Sequence, residues 1–325
     1  MLTYLLRRIV QMLITVFIIS VIAFAVIQLP PGDFVNSYLA TLSAGLQVTP
    51  DVIAALRAQF GLDDNLVVQY FKWITNLLSG NMGLSFQYQQ PVIDLLVERV
   101  PLTLAITLPT TVFVYMVAIP IGIYSAVRQY SLLDYVFSFI GFIGLAIPNF
   151  LFAIVLIYVT SHYFGGNVGG LFSPEYELAP WSIGRVLDML SNMSIAILII
   201  GTSGTAATIR VMRGMLLDEL GQAYVETARA KGLKEWQLVL KYPVRVAISP
   251  VLSTIGFTLP ALISGTEITA TVLNLPTTGP LLLNAVRSQD MFLAASIIFV
   301  LSILTVVGTL ISDILLVWAD PRIRL

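Results

Sequence analysis

Cysteine is absent from this 325-residue sequence, histidine occurs once, and charged residues make up only 11% of it. Without cysteine there is no disulfide framework, no thiolate metal site and no cysteine nucleophile. The 17 basic and 18 acidic residues nearly cancel, and a net charge of −1 gives no reason to expect binding to nucleic acid, which requires clustered basic surface. No Gly-Lys dipeptide occurs, so the sequence lacks the phosphate-binding loop that a P-loop ATPase needs.

Apolar side chains are abundant instead, at 57% of the sequence, and the mean hydropathy is +0.90. This composition provides too few polar residues for the surface of water-soluble domains. A helix needs about 20 apolar residues to cross a bilayer. The sequence therefore predicts an all-α integral membrane protein with six transmembrane helices. They are expected at residues 9–29, 102–127, 135–161, 190–209, 244–268 and 292–317. Two prolines should bend the second helix without ending it.

The positions of lysine and arginine predict the orientation in the membrane. With the N-terminus in the cytoplasm, 12 of the 17 basic residues fall on the cytoplasmic side. The first span follows Arg7 and Arg8, but its apolar run is longer than that of a secretory signal and no A-x-A cleavage site follows it. We therefore expect residues 1–29 to be an uncleaved anchor helix, and both termini to be cytoplasmic.

Two segments between the spans are long enough to have structure of their own. Residues 30–101 are expected to form an extracytoplasmic helical segment, with helices at 52–60, 65–78 and 92–100, whereas residues 161–189 are expected to form a loop. Residues 210–245 carry seven basic and four acidic side chains in a helix-forming composition. Because a plain connector needs far fewer residues, we expect a cytoplasmic docking surface there. The remaining divisions are a five-helix core at 102–317, which includes 210–245, and a cytoplasmic tail at 318–325.

One motif lies within this inner segment, where residues 224–233 are Tyr-Val-Glu-Thr-Ala-Arg-Ala-Lys-Gly-Leu. They resemble the cytoplasmic coupling motif of binding-protein-dependent ABC importer permeases. Glu226, Ala228 and Gly232 match motif positions, and Thr227 stands where the motif has its middle alanine. The resemblance implies that these four residues couple the chain to partner ATPases. Independently of the resemblance, Gly232 permits a sharp turn of the chain because glycine tolerates positive φ.

Small and basic side chains in and beside the motif suggest how such a partner would be contacted. Small residues permit close approach to a groove on a soluble protein, and the basic residues are expected to contact acidic groups on its rim. The small residues are Ala223, Ala228 and Ala230, and the basic ones are Arg229, Lys231 and Lys234. An alternative is an amphipathic helix attracted to anionic lipid headgroups.

Further motifs along the chain resemble one subfamily, the B-type permease subunit of oligopeptide, dipeptide and nickel importers. They are Pro31-Gly32-Asp33, Gly83-Leu84-Ser85 before Pro91-Val92, Arg99-Val100-Pro101-x-Thr103-Leu104 and Asp320-Pro321-Arg322-Ile323-Arg324. The resemblance covers essentially the whole chain. It implies the type I ABC importer permease fold, with an extracytoplasmic helical cap after the first helix and a coupling helix between the fourth and fifth, in the plasma (inner) membrane of a prokaryote.

The resemblance also implies the partners and the cargo. The chain would pair with a second homologous permease, two ATP-binding subunits that hold ATP and Mg, and an extracytoplasmic solute-binding protein. It would itself carry no cofactor and would not be an enzyme. The implied substrate is a short peptide, and nickel, glutathione or oligosaccharides remain alternatives within the same class of importer.

Three residues are candidates for the translocation path or an outer gate. Glu267 lies near the outer end of the fifth predicted span, and a charge inside a span is costly enough to suggest function. It is expected either to line the path or to pin the following segment by hydrogen bonds. Pro276 and Gly279 lie where this sequence departs from the family, which more often has an aromatic before the proline and Gly-Leu-Gly after it.

Two alternatives come from other classes of protein. Gly201-Thr202-Ser203-Gly204 has the Gly-x-Ser-Gly form of intramembrane serine proteases, but the nucleophile needs a base, and the single histidine, His162, precedes it on another span. Helix packing is the favoured interpretation of the motif. An ion-driven secondary transporter would be expected to have more spans, in paired repeats.

Overall fold

The computed structural model describes residues 2–28, 64–85, 87–164, 169–255, 261–262, 266–288 and 290–319. Within these ranges nearly all regular structure is helical. The N-terminal elements are α1 (Leu2–Gln28), α2 (Leu66–Leu78), the two-residue strands β1 (Leu84–Ser85) and β2 (Gln90–Pro91), and α3 (Val92–Val127). The middle of the chain forms α4 (Leu132–Ala146), α5 (Asn149–Val159), a π-helical turn (Thr160–Phe164) and α6 (Ile183–Leu220). The last elements are α7 (Ala223–Ala230), α8 (Glu235–Lys241), α9 (Pro243–Ser253), α10 (Glu267–Val272), α11 (Thr278–Arg287) and α12 (Met291–Ala319).

Four described helices are long and apolar enough to cross a bilayer, and they coincide with predicted spans one, two, four and six. Their spanning stretches are Arg7–Ala25, Val92–Val127, Ile183–Leu220 and Phe292–Ile311. Helices α4 and α5 satisfy the same criterion only as a pair bent by 103°. The fifth predicted span, 244–268, begins with α9 but continues through 256–260 and 263–265, which lie outside the described residues. The count of six therefore stays a prediction.

The third span was expected to be continuous, and the structure breaks it at Ile147 and Pro148. Proline has no N–H to donate within a helix, and the residue before it is driven out of the helical region. Accordingly Ile147 is extended, with φ −89° and ψ 121°, and Pro148 serves as the N-cap of α5. Asn149 compensates for the break, since its side-chain amide donates to the Ile200 carbonyl at 3.3 Å and to Ser203 Oγ at 3.1 Å.

The segments outside the membrane also differ in part from expectation. The predicted helix at 65–78 is present as α2, capped by Asn65, whose side chain accepts from the Val67 N–H. The helix expected at 92–100 begins at Val92 but does not stop, and it continues as the second span. Helix α6 begins at Ile183, inside the segment expected to be a loop. The helix expected at 52–60 lies outside the described residues.

The chain divides into two compact units. The first comprises residues 1–101 and 277–306. Its interior contains Tyr70, whose hydroxyl shares a 2.7 Å hydrogen bond with the buried Ser20 on α1. Rings pack edge-on or tilted around Tyr70, including those of Phe24 and Trp73. An aromatic cluster with one satisfied hydroxyl pair therefore joins α1 to α2.

The second unit comprises residues 102–276 and 307–325. Helix α6 packs closely on its neighbours through glycines. A Cβ at Gly201 would lie 2.9 Å from the Phe113 ring, and one at Gly204 would lie 3.3 Å from Val114. Small residues let membrane helices approach each other in this way. The predicted packing role of the Gly-x-Ser-Gly motif is thus confirmed, and Ser203 is hydrogen-bonded to an asparagine.

Candidate functional site

The candidate coupling segment consists of α7, the turn at residues 231–234, and α8. Helix α7 buries one stripe, Val225 and Ala228, which are spaced three residues apart and therefore lie on the same face. Both belong to an apolar cluster of the second unit that also contains Leu216 of α6 and Leu238 of α8. The coupling segment is therefore packed onto the end of α6 as part of the folded unit.

The opposite face of α7 is exposed and carries two of the predicted coupling residues, Glu226 and Thr227. The Thr227 hydroxyl donates to the Ala223 carbonyl at 2.9 Å. The Glu226 carboxylate makes no hydrogen bond or salt bridge with any described residue. The side chains of Glu226 and Thr227 thus form no hydrogen bond or salt bridge with a described residue outside α7.

Gly232 makes the turn that follows α7. Its φ is +76°, as the sequence predicts, and its N–H donates to the Arg229 carbonyl at 3.0 Å. The Lys231 N–H donates to the Thr227 carbonyl at 3.2 Å. Both bonds satisfy carbonyls that the helix end would otherwise leave unpaired. The turn therefore orients α8 relative to the exposed face of α7.

The structure corrects the expected role of Ala228. This residue is only 6% exposed and packs in the interior cluster of the second unit. Its small side chain therefore allows close approach of α7 to its own unit and is not presented to a partner. Ala223 and Ala230 are exposed, so they still fit the expectation of small residues on an accessible surface.

A salt bridge between α7 and α8 also changes one expectation. Arg229 donates from Nε and Nη2 to the two oxygens of Glu235, at 3.2 and 2.7 Å. The guanidinium holds the pKa of Glu235 below its usual value, and the carboxylate raises that of Arg229. Arg229 is thus engaged within the coupling segment, whereas Lys231 and Lys234 are exposed.

A second polar contact lies at the junction of α6 and α7, where the Tyr224 hydroxyl donates to Glu219. Partial desolvation and the neighbouring carboxylate raise the pKa of Tyr224 to about 12. The phenol therefore stays protonated at physiological pH and remains a donor. The coupling segment is consequently tied to α6 by apolar packing and by this hydrogen bond.

The outer candidates fall in different units. Glu267 is the half-buried first residue of α10 and Pro276 follows that helix, both in the second unit, whereas the buried Gly279 lies in α11 in the first unit. Among the described residues the Glu267 carboxylate makes no hydrogen bond or salt bridge. The segment that follows Glu267 is held by the buried Leu273, whose carbonyl accepts from the Gly170 N–H at 2.7 Å, and a pinning role of Glu267 stays a prediction. A role of Glu267 in the translocation path remains a prediction.

The structure also joins polar residues that sequence spacing cannot connect. In the second unit Asp134 of α4 forms a two-pronged ion pair with Arg213 of α6. In the first unit the buried Asp290 accepts from the Ser85 hydroxyl at 2.5 Å and from the Gln87 N–H at 3.2 Å. The second pairing accounts for the serine of the Gly83-Leu84-Ser85 motif. No short-range signal predicts partners that are 79 and 205 residues apart in sequence.

Comparison with known proteins decides the family. The family described as "Binding-protein-dependent transport system inner membrane component" matches residues 118–325, and its N-terminal companion family matches residues 1–107. The chain belongs to this family. It is a multi-pass membrane protein, an ABC importer permease, and the resemblance of its motifs to that family is confirmed. Membership excludes the intramembrane protease and the ion-driven transporter.

Curated relatives match this permease over essentially its whole length. It is 33% identical to the oligopeptide transport system permease protein AppB of Bacillus subtilis, and the match covers 100% of both chains. It is 30% identical to the oligopeptide permease OppB of Haemophilus influenzae, also over 100% of both chains. It is 29% identical to the nickel import permease NikB of Staphylococcus aureus, over 98% of this chain and 91% of that protein.

A solved structure confirms the fold class. The permease is similar to a chain of the inward-facing MetNI methionine ABC transporter, with a TM-score of 0.55 and 20% identity, over 70% of this chain and 96% of that one. At this identity the likeness establishes the fold alone. The predicted all-α, type I importer permease architecture is therefore confirmed.

Proposed function

We propose that this permease forms half of the translocation pathway of an ATP-driven importer for short peptides. It couples to partner ATPases through Glu226, Thr227 and Gly232, with Ala228 securing the helix from its inner face. The second half of the pathway comes from a homologous permease, and an extracytoplasmic solute-binding protein delivers the substrate. The N- and C-termini lie in the cytoplasm, on the same side as the coupling segment.

The observation that carries the coupling proposal is the two-faced arrangement of α7. Its inner face, Val225 and Ala228, is fixed to the second unit, which contains α6, while Glu226 and Thr227 on the outer face have no side-chain partner in the described residues beyond α7 itself. A helix fixed on one face and open on the other can transmit a push from a soluble partner to the helices behind it.

The energy source must lie in the partners, because this sequence has no phosphate-binding loop. Two ATP-binding subunits bind ATP with Mg, and their closure displaces α7. Since α6 leads directly into α7, the displacement passes into the membrane. The permease then alternates between inward- and outward-open states.

The peptide substrate is supported by relatives that bear peptide-transport names, AppB and OppB, which match this chain from end to end. The nickel permease NikB also matches, so nickel is the competing cargo. Both cargoes can be presented to the same preparation, each with its own labelled substrate and its own candidate binding protein.

The test uses the complete importer reconstituted in proteoliposomes. Wild-type permease should show ATP-dependent uptake of a labelled tripeptide but not of labelled nickel. Glu226→Lys and Gly232→Arg should abolish this uptake while leaving the permease in the membrane. Glu175→Lys, the same charge change at an exposed residue of the segment before α6, is the matched control and should retain uptake. Full uptake by Gly232→Arg would refute the coupling role, and uptake of nickel alone would refute the peptide substrate.

A further inference from the structure

A charged pair in the second unit joins α4 to α6. Asp134 is 2% exposed, and its Oδ1 and Oδ2 accept from Arg213 Nε at 2.9 Å and Nη2 at 3.0 Å. The Arg213 side chain is 27% exposed. Two parallel bonds between a guanidinium and a carboxylate fix the relative orientation of both side chains as well as their separation.

Further bonds hold the Asp134 carboxylate in position. The Tyr130 N–H donates to Oδ2 at 3.0 Å, from a residue whose φ is +65°. The Ser138 hydroxyl lies 3.5 Å from Oδ1, and the Asp134 N–H donates to Ser131 Oγ, the N-cap of α4, at 3.3 Å. The carboxylate therefore lies at the N-terminal end of α4, where Arg213 of the neighbouring helix α6 binds it.

The same two helices meet again further along α4. Gly144 of α4 lies against α6, where a Cβ would be 3.1 Å from Thr202 and 3.4 Å from Ala206. The Arg210 guanidinium lies 5.1 Å from the centre of the Phe142 ring. Helices α4 and α6 are thus joined by an ion pair at one end and by close packing along their length.

The position of the pair connects the coupling segment with the broken span. Arg213 lies in the last turns of α6, which ends at Leu220 directly before α7. Asp134 lies in the first turn of α4, which ends at the 103° bend before Pro148. The pair therefore links the helix that leads to the coupling segment with the first half of the broken span.

We propose that Asp134 and Arg213 are positioning residues for transport, which oblige α4 to move with α6 when a partner displaces α7. Opening the pair would leave a buried carboxylate without its counter-charge, which is strongly unfavourable. A displacement of α6 is therefore passed to α4, and the break at Ile147 and Pro148 is where the chain can flex. This inference rests on the proposed coupling function of α7.

A merely structural role makes a different prediction from a coupling role. If the pair only stabilises the fold, its loss lowers ATP hydrolysis and uptake together, in proportion to the amount of assembled importer. If it couples α4 to α6, its loss lowers the substrate transported per ATP hydrolysed, while hydrolysis persists. Coupling free energies between sites typically correspond to factors of about 5 to 150.

The first experiment measures uptake and ATP hydrolysis by the complete importer with Asp134→Asn, an isosteric change that removes the charge. We expect at least about a fivefold fall in uptake per ATP. Asp64→Asn, which removes the charge from the exposed Asp64–Lys72 pair, is the control and should leave the ratio unchanged. An unchanged ratio in Asp134→Asn, or a parallel fall of both activities, would overturn the proposal.

The second experiment replaces the ion pair with a covalent link, which the absence of cysteine from this chain makes specific. Asp134→Cys combined with Arg213→Cys should be uncoupled when the thiols are free. A short bifunctional thiol reagent should restore uptake per ATP. Failure of the linked protein to regain uptake would contradict the proposal even if Asp134→Asn does not assemble. Failure of the coupling function itself would be recognised separately, by full uptake in Gly232→Arg.

Discussion

The turn after α7 offers a perturbation whose size can be worked out from the structure. Gly232 has φ +76°, and apart from its chain neighbours no described atom lies within 4 Å of the position a Cβ would take. A larger side chain therefore meets backbone strain but no obstacle from the described part of this chain. Such strain costs about 1–2 kcal/mol for an L-residue, and asparagine tolerates this region better than most residues.

These costs predict an order among three variants. Gly232→Asn should perturb the turn least, Gly232→Ala should cost about 1 kcal/mol and Gly232→Val about 2 kcal/mol. The native turn would then be about 5-fold and about 30-fold less favoured in the alanine and valine variants. The assay is ATP-driven uptake by the reconstituted importer, together with the affinity of the partner ATPases for the permease.

An explanation based on side-chain size predicts the opposite order for Gly232→Ala and Gly232→Asn. If Gly232 were required because a partner fills the space beside it, alanine would be tolerated better than the larger asparagine. Uptake that is higher in Gly232→Ala than in Gly232→Asn would therefore refute the backbone explanation. Gly221→Ala is the matched control, because Gly221 precedes the same helix with an ordinary φ of −81° and should tolerate a Cβ.

Two further predictions concern packing and pH. Gly201→Ala should destabilise the solubilised permease by about 1–3 kcal/mol, since the new Cβ would lie 2.9 Å from the Phe113 ring. Gly214→Ala in the same helix is the control and should not destabilise the protein, because no described atom lies within 4 Å of the position of its Cβ. Thermal unfolding would distinguish the two variants. Because Arg229 holds the pKa of Glu235 below its usual value, the stabilisation from this pair is present above the ordinary glutamate pKa and is lost as the pH falls through the lower folded value. Hydrogen-exchange protection of residues 223–241 should thus be constant from neutral pH to about pH 5, and a loss of protection within that range would contradict the prediction.

Local chemistry made several elements predictable. The helix predicted at 65–78 is present as α2, and Gly232 marked the turn after α7 because that turn needs positive φ. Long apolar runs located four helices able to cross the membrane. The candidate coupling residues could be proposed from sequence because they form one contiguous motif, within seven residues of each other, on a single helix and its turn.

Features that depend on tertiary contacts were not predictable in the same way. Pro148 could have signalled a break, but prolines at 109 and 120 lie inside the continuous α3, so proline alone does not decide whether a span is interrupted. The side of α7 that Ala228 occupies depends on packing against α6 and α8. The pairing of Asp134 with Arg213 joins residues on different helices, and a single sequence contains no signal for it.

The central claim, that the exposed face of α7 docks on a partner ATPase, can be tested with single cysteines, since the chain has none of its own. A thiol-reactive photo-cross-linker would be attached at Thr227→Cys, at the buried neighbour Ala228→Cys, and at Leu178→Cys in the segment before α6, where the native residue is 96% exposed. In the complete importer, mass spectrometry should find the ATPase subunit linked to position 227 and not to 228 or 178. Equal linkage from 228, or none from an efficiently labelled 227, would contradict the account.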